Sequence, residues 1–160
     1  MADEGDAPLM RALTKLQTSQ NATEKKRALS AIDDWISSSP DKWLHAAWHG
    51  TGKLCSGLTK VLGSDPSERC REIAAEILLT ALHKMPSVSA FGLSSVLPVV
   101  THRLGNSALD PSQLREPSEE VRLLLVTLIL NLLDKCPQVM MMRIYVKYSC
   151  TNRKIILISH

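Results

Sequence analysis

The sequence predicts an all-α chain: an α-solenoid of stacked antiparallel helix pairs, ending in an irregular tail. Three observations lead there. The chain has 160 residues with 44% apolar residues but only 4% aromatic ones, a balance that suits helix-on-helix packing better than sheets. Two long segments repeat at an offset of 51 residues, each with one apolar face at helical spacing. Seven glycines among 160 residues are few for a fold built from many tight turns.

Residues 1–7 are expected to be disordered, and residues 8–136 to hold about three helical units. Leu9, Leu13 and Leu16 mark a first helix. Asn21 or Thr23 is suited to cap a second one, whose apolar positions are Ala28, Ala31, Ile32, Trp35 and Ile36. Ser37 to Pro40 closes it. Asp41 is then placed to cap a short helix through Trp43, Leu44, Ala47 and Trp48, broken near Gly50–Thr51–Gly52.

The repeat itself follows. Leu54, Leu58, Val61 and Leu62 form one face of a helix that Gly63–Ser64 ends. Asp65–Pro66–Ser67–Glu68 opens the next. Here Asp65 reads as the N-cap, Pro66 suits a first helical position that needs no N–H, and Glu68 sits in the positive first turn. The helix carries Cys70, Ile73, Ala74, Ile77, Leu78, Ala81 and Leu82. Each of these maps 51 residues on to Val121, Leu124, Leu125, Leu128, Ile129, Leu132 and Leu133, behind Glu116–Pro117–Ser118–Glu119. In that second copy Ser118 is the better cap. Its leading helix carries Leu93, Val96, Leu97, Val100 and Leu104, contains Pro98 with an expected kink, and stops at Gly105–Asn106. A polar insertion up to Glu116 should form a surface loop, with a turn starting at Asp110–Pro111.

Residues 137–160 read differently. They hold both tyrosines and a cluster of β-branched residues. They also hold four bases (Arg143, Lys147, Arg153, Lys154) and no acid. The expectation is a non-repeat basic and apolar tail, arising by truncation or alternative splicing. Net charge is +3, so the rest of the chain carries about −1 and offers no basic argument for a nucleic-acid partner. The Met1 end has no basic and apolar leader. No apolar stretch approaches the roughly 20 residues of a membrane span. A cytoplasmic protein with no membrane partner is expected.

Leu58 to Leu82, with Asp65–Pro66 in the turn and Arg71 opening the second helix, resembles the HEAT repeat. Pro98 within a first helix and the recurring Arg27, Arg71 and Arg122 are similar to that family too. More closely, Asp65 to Glu72, Leu97 to Gly105 and Glu116 to Leu123 resemble the N-terminal region of the dynein axonemal assembly factor 5 family. That resemblance implies a cytoplasmic, non-catalytic scaffold that helps preassemble the dynein arms of motile cilia. Its partners would be axonemal dynein chains, other dynein assembly factors and chaperones. It also implies the first repeats of a longer solenoid. Another HEAT or armadillo adaptor, for transport or for a phosphatase, is the first alternative. A HEAT-like nucleic-acid-binding domain is the second.

No residue pattern in the sequence converges on a chemical site. His45 and His49 stand i, i+4, but Ala46 follows His45 where a zinc protease needs its general-base Glu, and no third ligand is apparent. His83 and His102 read as ordinary helix-end residues. Gly50–Thr51–Gly52–Lys53 lacks the spacing of a phosphate loop and reads as a turn. Neither a dinucleotide fingerprint nor a nucleophile elbow is present. Cys55, Cys70, Cys136 and Cys150 form no CxxC pair and read as reduced core thiols. Lys25–Lys26–Arg27 reads as a solvated helix start, Trp35, Trp43 and Trp48 as packing, and Arg27, Arg71 and Arg122 as a hydrogen-bonded ladder within the stack. The expectation is no catalytic residue, no metal, no cofactor and no small-molecule substrate, with the partner-binding residues unidentified.

Overall fold

The computed structural model describes residues 7–49, 53–87, 90–105, 116–135, 146–149 and 154–157. The insertion between Gly105 and Glu116, with its expected turn at Asp110–Pro111, lies outside them, as do Cys136, Cys150 and residues 1–6. Among the described residues seven helices follow in order: α1 (Ala7–Thr18), α2 (Ala22–Ser38), α3 (Asp41–His49), α4 (Leu54–Ser64), α5 (Glu68–Lys84), α6 (Ala90–Leu104) and α7 (Glu119–Lys135). The fold is an α-solenoid. Helices α1/α2, α4/α5 and α6/α7 pair as hairpins. The first helices α1, α4 and α6 form one row, and the second helices α2, α5 and α7 another. Helix α3 is an extra element between the first two hairpins and packs on α4 and α6.

Apolar spacing explains the core. Leu9, Leu13 and Leu16 of α1, Leu44 and Trp48 of α3, and Leu54, Leu58, Val61 and Leu62 of α4 are all buried. In α2 the buried face is Ala28, Leu29, Ile32, Trp35 and Ile36. Ala31, assigned to that face from sequence, is exposed. Leu29 takes its place, because a helix with neighbours on two sides buries a wider stripe than a single 3-4 series marks. Central α5 shows this most fully. Of its expected positions all but the half-buried Ile73 are buried, and it also buries Ala75, Leu79 and Arg71, since α2 flanks it on one side and α7 on the other.

The helix ends separate right from wrong expectations. Asn21 caps α2, its Oδ1 accepting from the Thr23 N–H at 2.8 Å. Ser118 caps α7, its Oγ accepting from the Val121 N–H at 3.4 Å. Gly105 ends α6 with φ 74°, the left-handed conformation that favours glycine. Asp65, however, is not the N-cap of α5. That helix starts at Glu68 behind Ser67, and Asp65 instead terminates α4, its N–H bonding the Val61 carbonyl at 2.9 Å. Pro66 therefore lies two residues ahead of the first helical residue. Helix α6 runs through Pro98 as one element.

In the tail, Val146–Ser149 (β1) and Lys154–Leu157 (β2) pair antiparallel, Val146 opposite Leu157 and Ser149 opposite Lys154. The expected irregular stretch thus contains a two-stranded ribbon. Its β-branched and aromatic residues favour extended backbone, a preference that reading for helical stripes overlooks.

Candidate protein-binding surface

Two polar seams join the units, and both repeat in register. At the N-terminal end of the second helices, the Asp65 and Glu116 carboxylates each stand two residues before an N-cap. Asp65 Oδ1 accepts from the Ser67 N–H at 2.9 Å, and Glu116 Oε1 from the Ser118 N–H at 3.4 Å. A cation from the preceding unit then closes on each carboxylate. Lys25 Nζ of α2 pairs with Asp65. Arg71 of α5 grips Glu116 with two bonds, Nη2 to Oε1 at 2.7 Å and Nε to Oε2 at 2.8 Å. The planar guanidinium fork matches both carboxylate oxygens, which a lysine cannot do.

The third nitrogen of each arginine turns back on its own loop. Arg71 Nη1 donates to the Asp65 and Pro66 carbonyls at 2.9 and 3.1 Å. Arg122 Nη1 donates to the Glu116 and Pro117 carbonyls at 2.9 and 2.8 Å. Both arginines thus satisfy loop carbonyls that lead into their own helices, one turn ahead of the first helical hydrogen bonds.

Burial acting alone would raise the Glu116 carboxyl. The Arg71 hydrogen bonds and charge, the Ser118 N–H and the Arg103 charge outweigh it and hold Glu116 below the usual carboxylate range. Arg103 of α6 supports the same spot. Its Nε bonds the Leu62 carbonyl at 3.0 Å and lies 3.8 Å from Glu116 Oε2.

The second seam caps helix C-termini. Lys84 Nζ donates to the carbonyls of Ile36, Ser37 and Ser39, at 2.7, 3.0 and 3.2 Å. Lys135 Nζ donates to the Met85 carbonyl at 2.9 Å. A cation there also meets the negative end of the helix dipole.

Of the recurring arginines, Arg71 and Arg122 lie in the ladder and Arg27 does not: it is exposed. The sequence register was two residues off. The N-caps Asn21 and Ser67 and the C-caps Ser39 and Met85 set an offset of 46, which places Lys25, not Arg27, opposite Arg71. Lys25 is accordingly no solvated residue, whereas Lys26 is exposed. The Lys84 and Lys135 pair was missed altogether. The 51-residue offset, carried to the helix ends, would have found it.

The other residues singled out from sequence fall apart in space. Trp35 and Trp48 are buried and Trp43 is half-buried, while His45, His83 and His102 are exposed. Gly50, Thr51 and Gly52 lie outside the described residues. Cys55 and Cys70 are buried and free, and burial pushes the Cys55 thiol up to about 11 against a weaker lowering by the Thr59 hydroxyl. Among the described residues, no three His, Cys, Asp or Glu side chains group as metal ligands, and no helix is long and apolar enough to cross a membrane. The surface of the described residues includes the outer faces of the two helix rows and of α7, where Leu123 and Leu130 are 68% and 54% exposed. Such a surface offers side chains to another protein.

Comparison with known proteins agrees with the resemblance read from the loops. The family model described as dynein axonemal assembly factor 5-like, TPR repeats, matches residues 16–151. Dynein axonemal assembly factor 5 of Xenopus laevis is 34% identical over 119 residues, which cover 73% of this chain and 13% of that protein. The chain therefore spans a small part of that relative's length. No solved structure matches it. TPR and HEAT arrays both stack helix hairpins, with repeats of about 34 and 40–47 residues. The second helices here recur after 46 and 51 residues, nearer the HEAT spacing. On the extent of the family match, and on a relative that aligns with most of its residues, this chain belongs to the dynein axonemal assembly factor 5-like family.

Proposed function

We propose that this chain is a non-catalytic, protein-binding scaffold acting in the cytoplasm, where it helps preassemble axonemal dynein arms for motile cilia. Its partners on this reading are axonemal dynein chains, other dynein assembly factors and chaperones. The family match over residues 16–151 carries the proposal, together with the name of the Xenopus relative. The architecture supports it. Stacked hairpins bury their shared faces and present long rigid ridges, a surface that recognises proteins by complementarity. The fixed cation–carboxylate seam keeps neighbouring ridges in register, so a partner spanning several units meets one geometry. We read residues 8–136 as the binding array and residues 137–160 as a tail outside it.

The test is affinity capture of the full chain from ciliating cells, with quantitative identification of what it retains against a tag-only control. Dynein chains, chaperones or assembly factors enriched on the chain are the expected result. Enrichment of nuclear-transport or phosphatase subunits in their place would move the chain to the wider class of helical adaptors. Retention of none of these would remove the dynein reading.

A further inference from the structure

The near-neutral charge of the helical body conceals a division between its two helix rows. The second helices α2, α5 and α7 carry nine carboxylates, three in each, and none of the nine is buried. Most of their bases are already engaged. Lys25, Arg71, Lys84, Arg122 and Lys135 close the seams or their own loops, and Arg69 pairs with Glu72 at 2.7 Å. That row turns an acidic face outward. The first helices α1, α4 and α6 contain no Asp or Glu. Arg11 and Lys15 of α1, Lys60 of α4 and Lys53 at its N-terminus are all exposed. Arg11 Nε reaches only its own helix, 3.4 Å from the Ala7 carbonyl. Among the described residues the Lys15, Lys53 and Lys60 ammonium groups have no acceptor. Thr14, Thr18, Ser56 and Ser64 donate their hydroxyls to carbonyls one turn back, so the cations select what binds. Met10, 42% exposed, and the exposed Pro98 add apolar surface. Helix α3, packed on α4 and α6, brings one acid, Asp41, with Lys42 beside it.

We propose that the outer face of the first-helix row is a docking surface for an acidic segment of a partner protein. Its Asp and Glu side chains would meet Arg11, Lys15, Lys53 and Lys60, and an apolar side chain would cover Met10, whose flexible thioether adapts to irregular contacts. Charge complementarity sets the choice. Carboxylates arriving on these three helices meet no like charge from them, whereas the second-helix row repels them. Nucleic acid fits less well, since four cations are few beside the roughly six to ten phosphate contacts of a protein that binds it tightly. The proposal deepens the protein-binding reading above and rests on it, but it needs nothing from the dynein assignment.

The experiment uses the full chain and a fluorescein-labelled peptide of about 12 residues built from Asp, Glu and Leu. At roughly 3.3 Å per residue that length crosses three helices spaced about 8–10 Å apart. Anisotropy is expected to show saturable binding, weakened about tenfold by Lys15→Glu together with Lys60→Glu. Lys26→Glu together with Arg27→Glu makes the same charge change on exposed positions of α2 and is expected to leave binding within about twofold. Circular dichroism checks that both variants keep their helices. Absence of saturable binding would overturn the proposal. Equal loss in the two variants would overturn it too, since the chain would then answer to net charge and not to this face. Tighter binding of a single-stranded oligonucleotide of the same charge would reassign the face to nucleic acid. Capture from ciliating cells is read separately: a chain that retains no dynein component but binds the peptide keeps this surface, and failure of the peptide leaves the capture result standing.

Discussion

Glu116 illustrates how one residue can commit a whole interface. Its side chain is fully buried and its charge is met by Arg71 at 2.7 Å. Removing one partner from such a pair leaves an uncompensated buried charge. Arg71→Ala is therefore expected to cost about 3–5 kcal/mol, read as a drop in the urea midpoint. The pH dependence follows from the same contacts. The folded carboxyl lies below its ordinary value, so its contribution is present above the usual carboxylate range and is lost as pH falls through the folded value. Stability should fall below about pH 4, and the fall should be shallower in Glu116→Gln. Identical acid limbs in the two proteins would contradict this. Cys55, raised to about 11 by burial, should resist alkylation by iodoacetamide at pH 8 until the chain unfolds. At this scale the sequence was partly legible. Arg71 and Arg122 stand out because loops with the same Asp/Glu-Pro-Ser-Glu letters lead into them. Lys25 was hidden because the first unit lacks that loop, leaving Arg27 as the only arginine near the register.

Helix boundaries depend on which polar group wins each orphan backbone N–H. Ser118 was readable as a cap because Glu116 cannot fill that role well. Asp65 was misread, since a side chain already held by Lys25 bonds the loop at Ser67 and leaves the helix to begin at Glu68. Ser118→Ala should cost about 1 kcal/mol by urea denaturation. Lys84→Met keeps the aliphatic stem but removes three bonds to the end of α2. Its expected cost is about 1–2 kcal/mol, with faster amide exchange confined to the last turn of α2. Uniform exchange along α2 would argue that the lysine caps nothing. Apolar periodicity gave each helix and most of its face. It could not show that α5 has neighbours on two sides, which explains why Ala75 and Leu79 were left off its buried list.

At the scale of the molecule, three hairpins share one hydrophobic core, and the cation–carboxylate ladder fixes their register. A stack of this kind owes its stability to each unit and to each interface between units. A binding surface spread over several ridges is only as well defined as those interfaces. The family was legible from the loops, because the ladder residues and the loop letters coincide. The exposed leucines of α7 were not, since exposure of Leu123 and Leu130 depends on what lies beside them and not on their own spacing. The most direct test of the account is a double-mutant cycle across Arg71 and Glu116, with Arg71→Met, Glu116→Leu and the pair compared by urea unfolding. Each single change should cost about 3 kcal/mol, while the pair, with the charges gone together, should also cost about 3 kcal/mol and not the roughly 6 kcal/mol of the summed singles, giving a coupling of about 3 kcal/mol. Costs that add to within about 0.5 kcal/mol would show that the two residues do not act as a link, and that something other than the ladder holds the units together.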